Sequence, residues 1–155
     1  MLKRTAGFTL IELLVTMVVL AIIATVAIPG FGRLIEGNRL VSGTNLLVSS
    51  IKLARTEAIK RGATVTFSSD GGLASGWCVH DGDATGDCAN DQIRGFEPPN
   101  QLTFDPPGNV DLVFDRRGFL VPQTAQTICI SGDTTHRRIL ISAVGRTETD
   151  DGVCP

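Results

Sequence analysis

The stretch GFTLIELLVTMVVLAIIATVAIPGF, residues 7–31, decides the fold of this 155-residue chain. Within it, residues 8–28 carry only four polar side chains, Thr9, Glu12, Thr16 and Thr25. As an α-helix this segment would be about 32 Å long, because each residue adds about 1.5 Å. That length matches the hydrocarbon core of a bilayer, about 30 Å. The sequence therefore predicts a membrane-spanning helix, with the rest of the chain left to build a folded domain.

The flanking charges predict how this helix is oriented. Lys3 and Arg4 precede the apolar run, and Arg33 is the first charge after it. The positive-inside rule then places the N-terminus in the cytoplasm and the folded domain outside. The four cysteines all lie in that domain, where an oxidising compartment would pair them. No C-x-x-C motif is present, and the net charge of −2 lacks the basic surplus of a general nucleic-acid binder.

A second helical pattern follows the apolar run. Apolar residues recur at steps of 7, 4, 3 and 4, which places them on one helix face: Leu40, Leu47, Ile51, Ala54 and Ala58. Gly62, just after Lys60 and Arg61, is a typical C-terminal stop. We therefore expect a helix that continues to residue 61, with a bend at Pro29.

From residue 63 onward the apolar period changes to two. Alternation is visible in TVTFSS, GNVDLVFDRRG and TICIS, and RRILISAVG is a nearly continuous β-rich run. Turn-rich segments such as DGDATGDCAND, EPPN and DPPG separate these runs. The expected architecture is α+β, with an antiparallel sheet packed on the amphipathic half of the helix.

The residues GFTLIEL, preceded by a short basic leader and followed by the apolar run, resemble the prepilin signal of type IV pilins and pseudopilins. Further segments, LLVSSIKLARTEAIKRG, SGWCVHDGD, FDRRGF and RRILISAVGRT, resemble the GspH/FimT group of minor pilins. The resemblance implies that a prepilin peptidase cuts between Gly7 and Phe8 and methylates the new Phe8 amine. It implies a non-enzymatic subunit without a cofactor, and indeed no G-x-S-x-G elbow is present.

The resemblance also implies a division of the chain and a location. Residues 1–7 would be the leader, 8–31 the transmembrane and assembly helix, 32–62 the amphipathic helix, and 63–155 the extracytoplasmic sheet domain. The subunit would reside in the bacterial inner membrane with its C-terminal domain in the periplasm, and then enter a type IV pilus or a type II secretion pseudopilus. Its partners would be other major and minor pilins or pseudopilins.

Glu12 is a charge inside the apolar segment, where burial is costly unless a partner is present. After cleavage, Phe8 would supply an amine four residues away, so a pair within the chain is geometrically allowed. Pilin resemblance suggests instead the Phe8 amine of a neighbouring subunit. Because a buried charge pair penalises wrong offsets between packed helices, we expect Glu12 to set the docking register.

The cysteines Cys78, Cys88, Cys129 and Cys154 allow three connectivities, and the sequence does not choose among them. We favour Cys78–Cys88, which would close a turn-rich loop, and Cys129–Cys154. The second pair would tie down the tail TETDDGVCP, which otherwise has the composition of a disordered segment.

The loop DGDATGDCANDQ partly follows the spacing of a calcium loop through Asp81, Asp83, Thr85 and Asp87. Its twelfth position is Gln92 rather than the bidentate glutamate that such loops require. A solvated loop closed by a disulfide is therefore the favoured interpretation, and no metal site is predicted.

Several arginines in the last third raise DNA binding as the alternative function. DNA-binding members of the FimT branch are thought to use a basic G-R-x-R segment, which Gly145 and Arg146 match in part, with Arg137 and Arg138 nearby. Glu148 stands where the second arginine would be, and an acidic residue repels phosphate. A structural subunit is therefore the main prediction and a DNA receptor the alternative.

Overall fold

The computed structural model describes residues 8–82, 88–89 and 91–154. It divides into two compact units, Met1–Ile35 and Glu36–Pro155. A single α-helix, α1, runs from Leu10 to Arg61. Gly62 follows with a φ of 63°, the left-handed conformation in which glycine commonly ends a helix. The predicted continuity of the helix and its stop are confirmed.

Within the unit Glu36–Pro155, one face of α1 packs on the sheets. The five residues predicted to share that face are all buried, with at most 3% exposure: Leu40, Leu47, Ile51, Ala54 and Ala58. Gly43 lies on the same helix, and a Cβ built there would touch Pro99 and overlap the side chain of Leu102. A glycine at this point therefore lets the segment before β4 approach the helix closely.

Among the described residues nine strands follow the helix, and they form two antiparallel sheets rather than one. The five-stranded sheet has the order β3-β2-β1-β5-β6, and the four-stranded sheet has the order β4-β7-β8-β9. The strands are β1 Val65–Ser68, β2 Trp77–Asp81, β3 Gln92–Phe96, β4 Thr103–Asp105, β5 Asp111–Phe114, β6 Leu120–Val121, β7 Gln126–Ser131, β8 His136–Ile141 and β9 Thr147–Asp150. The expectation of a single sheet is corrected, because alternation within a strand carries no information about its partners.

Trp77 connects the two sheets through the core. Its ring centroid lies 6.2 Å from that of Phe67 in the five-stranded sheet and 6.2 Å from that of Phe104 in the four-stranded sheet. Its indole Nε1–H donates to the hydroxyl of Ser50 on α1 at 2.7 Å. Helix and both sheets thus share one hydrophobic core around this side chain.

The C-terminal tail is ordered by more than its cysteine. Residues Thr147–Asp150 form β9, which pairs with β8 in the register Arg138↔Asp150 to Ile141↔Thr147. The polar sequence TETD predicts no strand by itself. It becomes one because β8 offers a free edge and because Arg138 donates from Nε and Nη2 to the Asp150 carboxylate at 2.9 and 2.8 Å.

Candidate assembly site at the start of the helix

Glu12 is held by the first turn of α1. The Thr9 backbone N–H and the Thr9 hydroxyl both donate to Glu12 Oε2, each at 3.1 Å. The Glu12 backbone N–H returns a bond to the Thr9 hydroxyl at 3.3 Å. This reciprocal arrangement is a capping box, in which Thr9 is the N-cap and Glu12 the third helical residue.

The capping box adds a role for Glu12 that the sequence interpretation missed, although the T-x-x-E pattern was its signal. The structure places Thr9, rather than Phe8, against the carboxylate. In the part of the chain that the structure describes, Glu12 Oε1 accepts no hydrogen bond, so only Oε2 of this carboxylate takes part in the cap. Phe8 itself is 89% exposed, and Gly7 lies outside the described residues.

The helix beyond this cap presents apolar side chains to the outside. From Leu10 to Ile23 the large apolar residues are exposed by 48% or more, and α1 contains a segment long and apolar enough to cross a membrane. None of that segment is buried inside the chain. Exposed apolar surface of this extent is typical of a membrane or protein contact.

The cysteines are joined as two disulfides. Cys78 bonds Cys88 and Cys129 bonds Cys154, with Cα atoms 5.7 Å and 5.9 Å apart. The first bond joins Cys88 to strand β2, and the second joins the tail after β9 to strand β7. This is the connectivity favoured above among the three alternatives.

The loop weighed as a calcium site is only partly described. Asp83, Thr85 and Asp87 lie outside the described residues, whereas Asp81 is part of β2. The Asp81 carboxylate lies 3.4 Å from Arg61 Nη1, an ion pair across half-exposed side chains. Among the described residues no group of three His, Cys, Asp or Glu side chains could hold a metal ion.

The arginines considered for DNA contact are each beside a carboxylate. Arg146 Nε lies 3.3 Å from Glu148, and Arg137 Nε lies 3.6 Å from Asp151. Arg138 makes the bidentate hydrogen bond to Asp150 described above, and this bond lowers the pKa of the Asp150 carboxyl. The Gly152 backbone N–H, which also donates to this carboxylate, lowers that pKa further. These ion pairs offset the positive charge that phosphate recognition would need.

The family model for the type II transport protein GspH matches residues 43–145, and the prokaryotic N-terminal methylation motif matches residues 2–28. Among solved structures, the chain is similar to the type IV minor pilin FimU of Pseudomonas aeruginosa PAO1 in two crystal forms. One match has 24% identity and a TM-score of 0.63, covering 74% of this chain and 90% of that one. The other has 23% identity and a TM-score of 0.60, covering 72% and 92%.

Curated proteins give no significant match. The similarity to FimU shows a shared fold, an N-terminal helix packed on antiparallel sheets. The GspH model covers about two thirds of the sequence, and the methylation motif covers the remaining helix start. The chain therefore belongs to the GspH family of minor pilins and pseudopilins, structural and non-enzymatic proteins of type II secretion and type IV pilus systems.

Proposed function

We propose that this subunit enters a pilus or pseudopilus by docking Glu12 against the Phe8 amine of a neighbouring subunit. The precursor is inserted in the inner membrane, a prepilin peptidase cuts between Gly7 and Phe8, and the new Phe8 amine is methylated. The helix then leaves the bilayer and packs among the helices of other pilins or pseudopilins. The folded unit Glu36–Pro155 stays on the periplasmic side until assembly.

The geometry of the Glu12 carboxylate carries this proposal. Oε2 is occupied by the Thr9 backbone and hydroxyl, which fixes the carboxylate at the helix start. Oε1 accepts no hydrogen bond from the described residues, and the surrounding apolar side chains are exposed. In a packed bundle this oxygen would be buried, so a cation from a neighbour is the partner that offsets its burial.

Substitution by glutamine separates the two roles of Glu12. A capping box accepts glutamine at this position, so Glu12→Gln keeps the cap and removes only the charge. We expect the amount of the variant in sheared filaments to fall at least about tenfold, because the neutral glutamine cannot form the buried charge pair with the neighbouring amine. Precursor cleavage and the thermal midpoint of the folded unit should not change.

Thr16→Val is the matched control, because Thr16 is a nearby polar residue whose hydroxyl donates to the Leu13 carbonyl of its own helix, at 2.8 Å. It should be incorporated like the wild type. Wild-type incorporation of Glu12→Val, which loses both the charge and the cap, would overturn the proposal. Reduced incorporation of Glu12→Val together with normal incorporation of Glu12→Gln would assign Glu12 to capping alone and also overturn it.

DNA reception, the alternative, has weaker support. Arg137, Arg138 and Arg146 each lie beside an aspartate or glutamate, and the exposed Arg146–Glu148 pair occupies the G-R-x-R position. A salt-dependent shift in DNA mobility that Arg146→Gln abolishes would favour this alternative over a purely structural role.

A further inference from the structure

Glu36, the first residue of the unit Glu36–Pro155, contacts the sheets through its carboxylate. Its carboxylate accepts the Thr134 backbone N–H at 2.5 Å and the Thr134 hydroxyl at 3.0 Å. Thr134 lies 98 positions away, in the turn between β7 and β8. Backbone donors of Thr134, reinforced by those of Thr135 and Asp133, lower the pKa of Glu36. The carboxylate thus sits among the backbone N–H groups of a tight turn.

The turn is shaped to receive this carboxylate. Ser131 and His136 close it as a strand pair, and Gly132 N–H donates to the Thr135 carbonyl at 2.8 Å. A Cβ at Gly132 would lie 3.0 Å from Glu36 Oε1, tighter than ordinary contact. Any larger residue there would push against the carboxylate, so the glycine permits the close approach.

The helix just after Glu36 is intrinsically weak. Gly37 and Asn38 follow it, and both disfavour a helix interior relative to alanine. The next contacts come at Arg39, which bonds the side chain of Gln101, and at Leu40, which is 3% exposed. The two poor helix formers Gly37 and Asn38 therefore lie between the exposed polar contact of Glu36 and the first core residue, Leu40.

We propose that Glu36 and the β7–β8 turn, residues 132–135, form a latch that holds this helical turn and opens without unfolding the domain. With the latch closed, the helix is fixed to the sheets from Glu36 onward. With it open, residues 36–38 become mobile as far as the next contacts, which are those of Arg39 with Gln101 and of the core anchor Leu40. Local opening of this kind draws on exposed hydrogen bonds rather than on the core.

The latch has a consequence for filament assembly, and that consequence rests on the proposed function. A helix that passes from a bilayer into a bundle must change its neighbours while its own domain stays folded. A contact that opens locally lets the last turn before Leu40 adjust to the new packing. The latch itself is a property of the single subunit, so it is measured without any filament.

Hydrogen exchange on the full chain in detergent micelles tests the latch. Glu36→Ala removes the carboxylate but improves intrinsic helix propensity, so faster exchange cannot come from propensity. We expect the amides of residues 37–40 to exchange at least about tenfold faster and trypsin to cut faster after Arg39. Exchange in the strands should not change. Thr134→Val, which keeps the backbone donor, should show a smaller acceleration.

Glu57→Ala is the matched control, since Glu57 is also on α1 but its ion pairs with described residues are to Lys60 and Arg61 of the same helix. It should leave residues 37–40 at the wild-type rate. Unchanged exchange of those amides in Glu36→Ala would overturn the latch. Accelerated exchange throughout the strands would also overturn it, because Glu36 would then support the whole fold. Neither result depends on filament incorporation, so failure here and failure of the Glu12 proposal are distinguishable.

Discussion

The two halves of α1 differ in apolar content and in what their apolar side chains contact. In the first half, large apolar side chains such as Leu14 and Leu20 are 52% and 65% exposed. In the second half, Leu47 and Ile51 are fully buried against the sheets. The difference lies in composition and spacing: the first half is apolar on all sides, whereas the second half is apolar on one face. A helix that is apolar all round is typical of a buried core helix or a membrane span, and the large apolar side chains of the first half are exposed.

A matched pair of leucine truncations tests this contrast most strongly. Leu47→Ala should lower the free energy of unfolding by about 2–5 kcal/mol, because it empties part of a closed core. Leu14→Ala should change it by less than about 0.5 kcal/mol, because its side chain has no buried contact to lose. Urea unfolding in micelles, followed by the fluorescence of Trp77, the single tryptophan, measures both. Equal losses in the two variants would remove the distinction between the halves.

Loss of one hydroxyl on the buried face should have the next largest effect. Ser50 accepts the indole N–H of Trp77 and donates to the Leu47 carbonyl at 2.8 Å. Ser50→Ala leaves a buried N–H without its acceptor, which costs about 1–3 kcal/mol. Ser49→Ala is the control, because the neighbouring hydroxyl bonds Leu46 on the exposed side of the helix. If both variants unfold at the same urea midpoint, the contact does not stabilise the core.

The smallest expected effect concerns pH and the tail strand. Because Arg138 lowers the pKa of Asp150 in the folded state, this carboxylate adds stability above its unfolded pKa. That stability is lost as pH falls through the lowered folded value. The urea midpoint of Asp150→Asn should therefore lie below the wild type at pH 7 and approach it toward pH 3. A constant difference across this range would show that the charge is not responsible.

The core face of the helix was accessible to sequence reasoning because it depends on local periodicity. Leu40, Leu47 and Ile51 repeat at helical spacing, and all are buried. Strands β1, β5, β7 and β8 were visible for the same reason, as alternating or apolar runs. Strand β2 was not: its residues WCVHD are buried at four of five positions without alternation. Cys78 of this strand is bonded to Cys88, a contact that no local pattern reveals.

Part of the candidate site was readable, and part was not. GFTLIEL lies within the match to the N-terminal methylation motif, and T-x-x-E within it marks the cap that joins Thr9 to Glu12. Glu36 carries no such signal, because its partner lies in a turn 98 positions away. Arg146 and Glu148 could be read as opposing charges two positions apart, and the structure brings them to 3.3 Å.

The sequence by itself determined the features that depend on neighbouring residues. These are the apolar helix with Glu12 near its start, the buried stripe from Leu40 to Ala58, and the helix stop at Gly62. Only the tertiary structure decided how the strands divide into two sheets, why the polar tail becomes β9, and where Glu36 meets the β7–β8 turn. The physical reason is that helices and turns are selected by local geometry. Strand pairing, and contacts such as that of Glu36 with the β7–β8 turn, depend on which distant segments come together when the core packs.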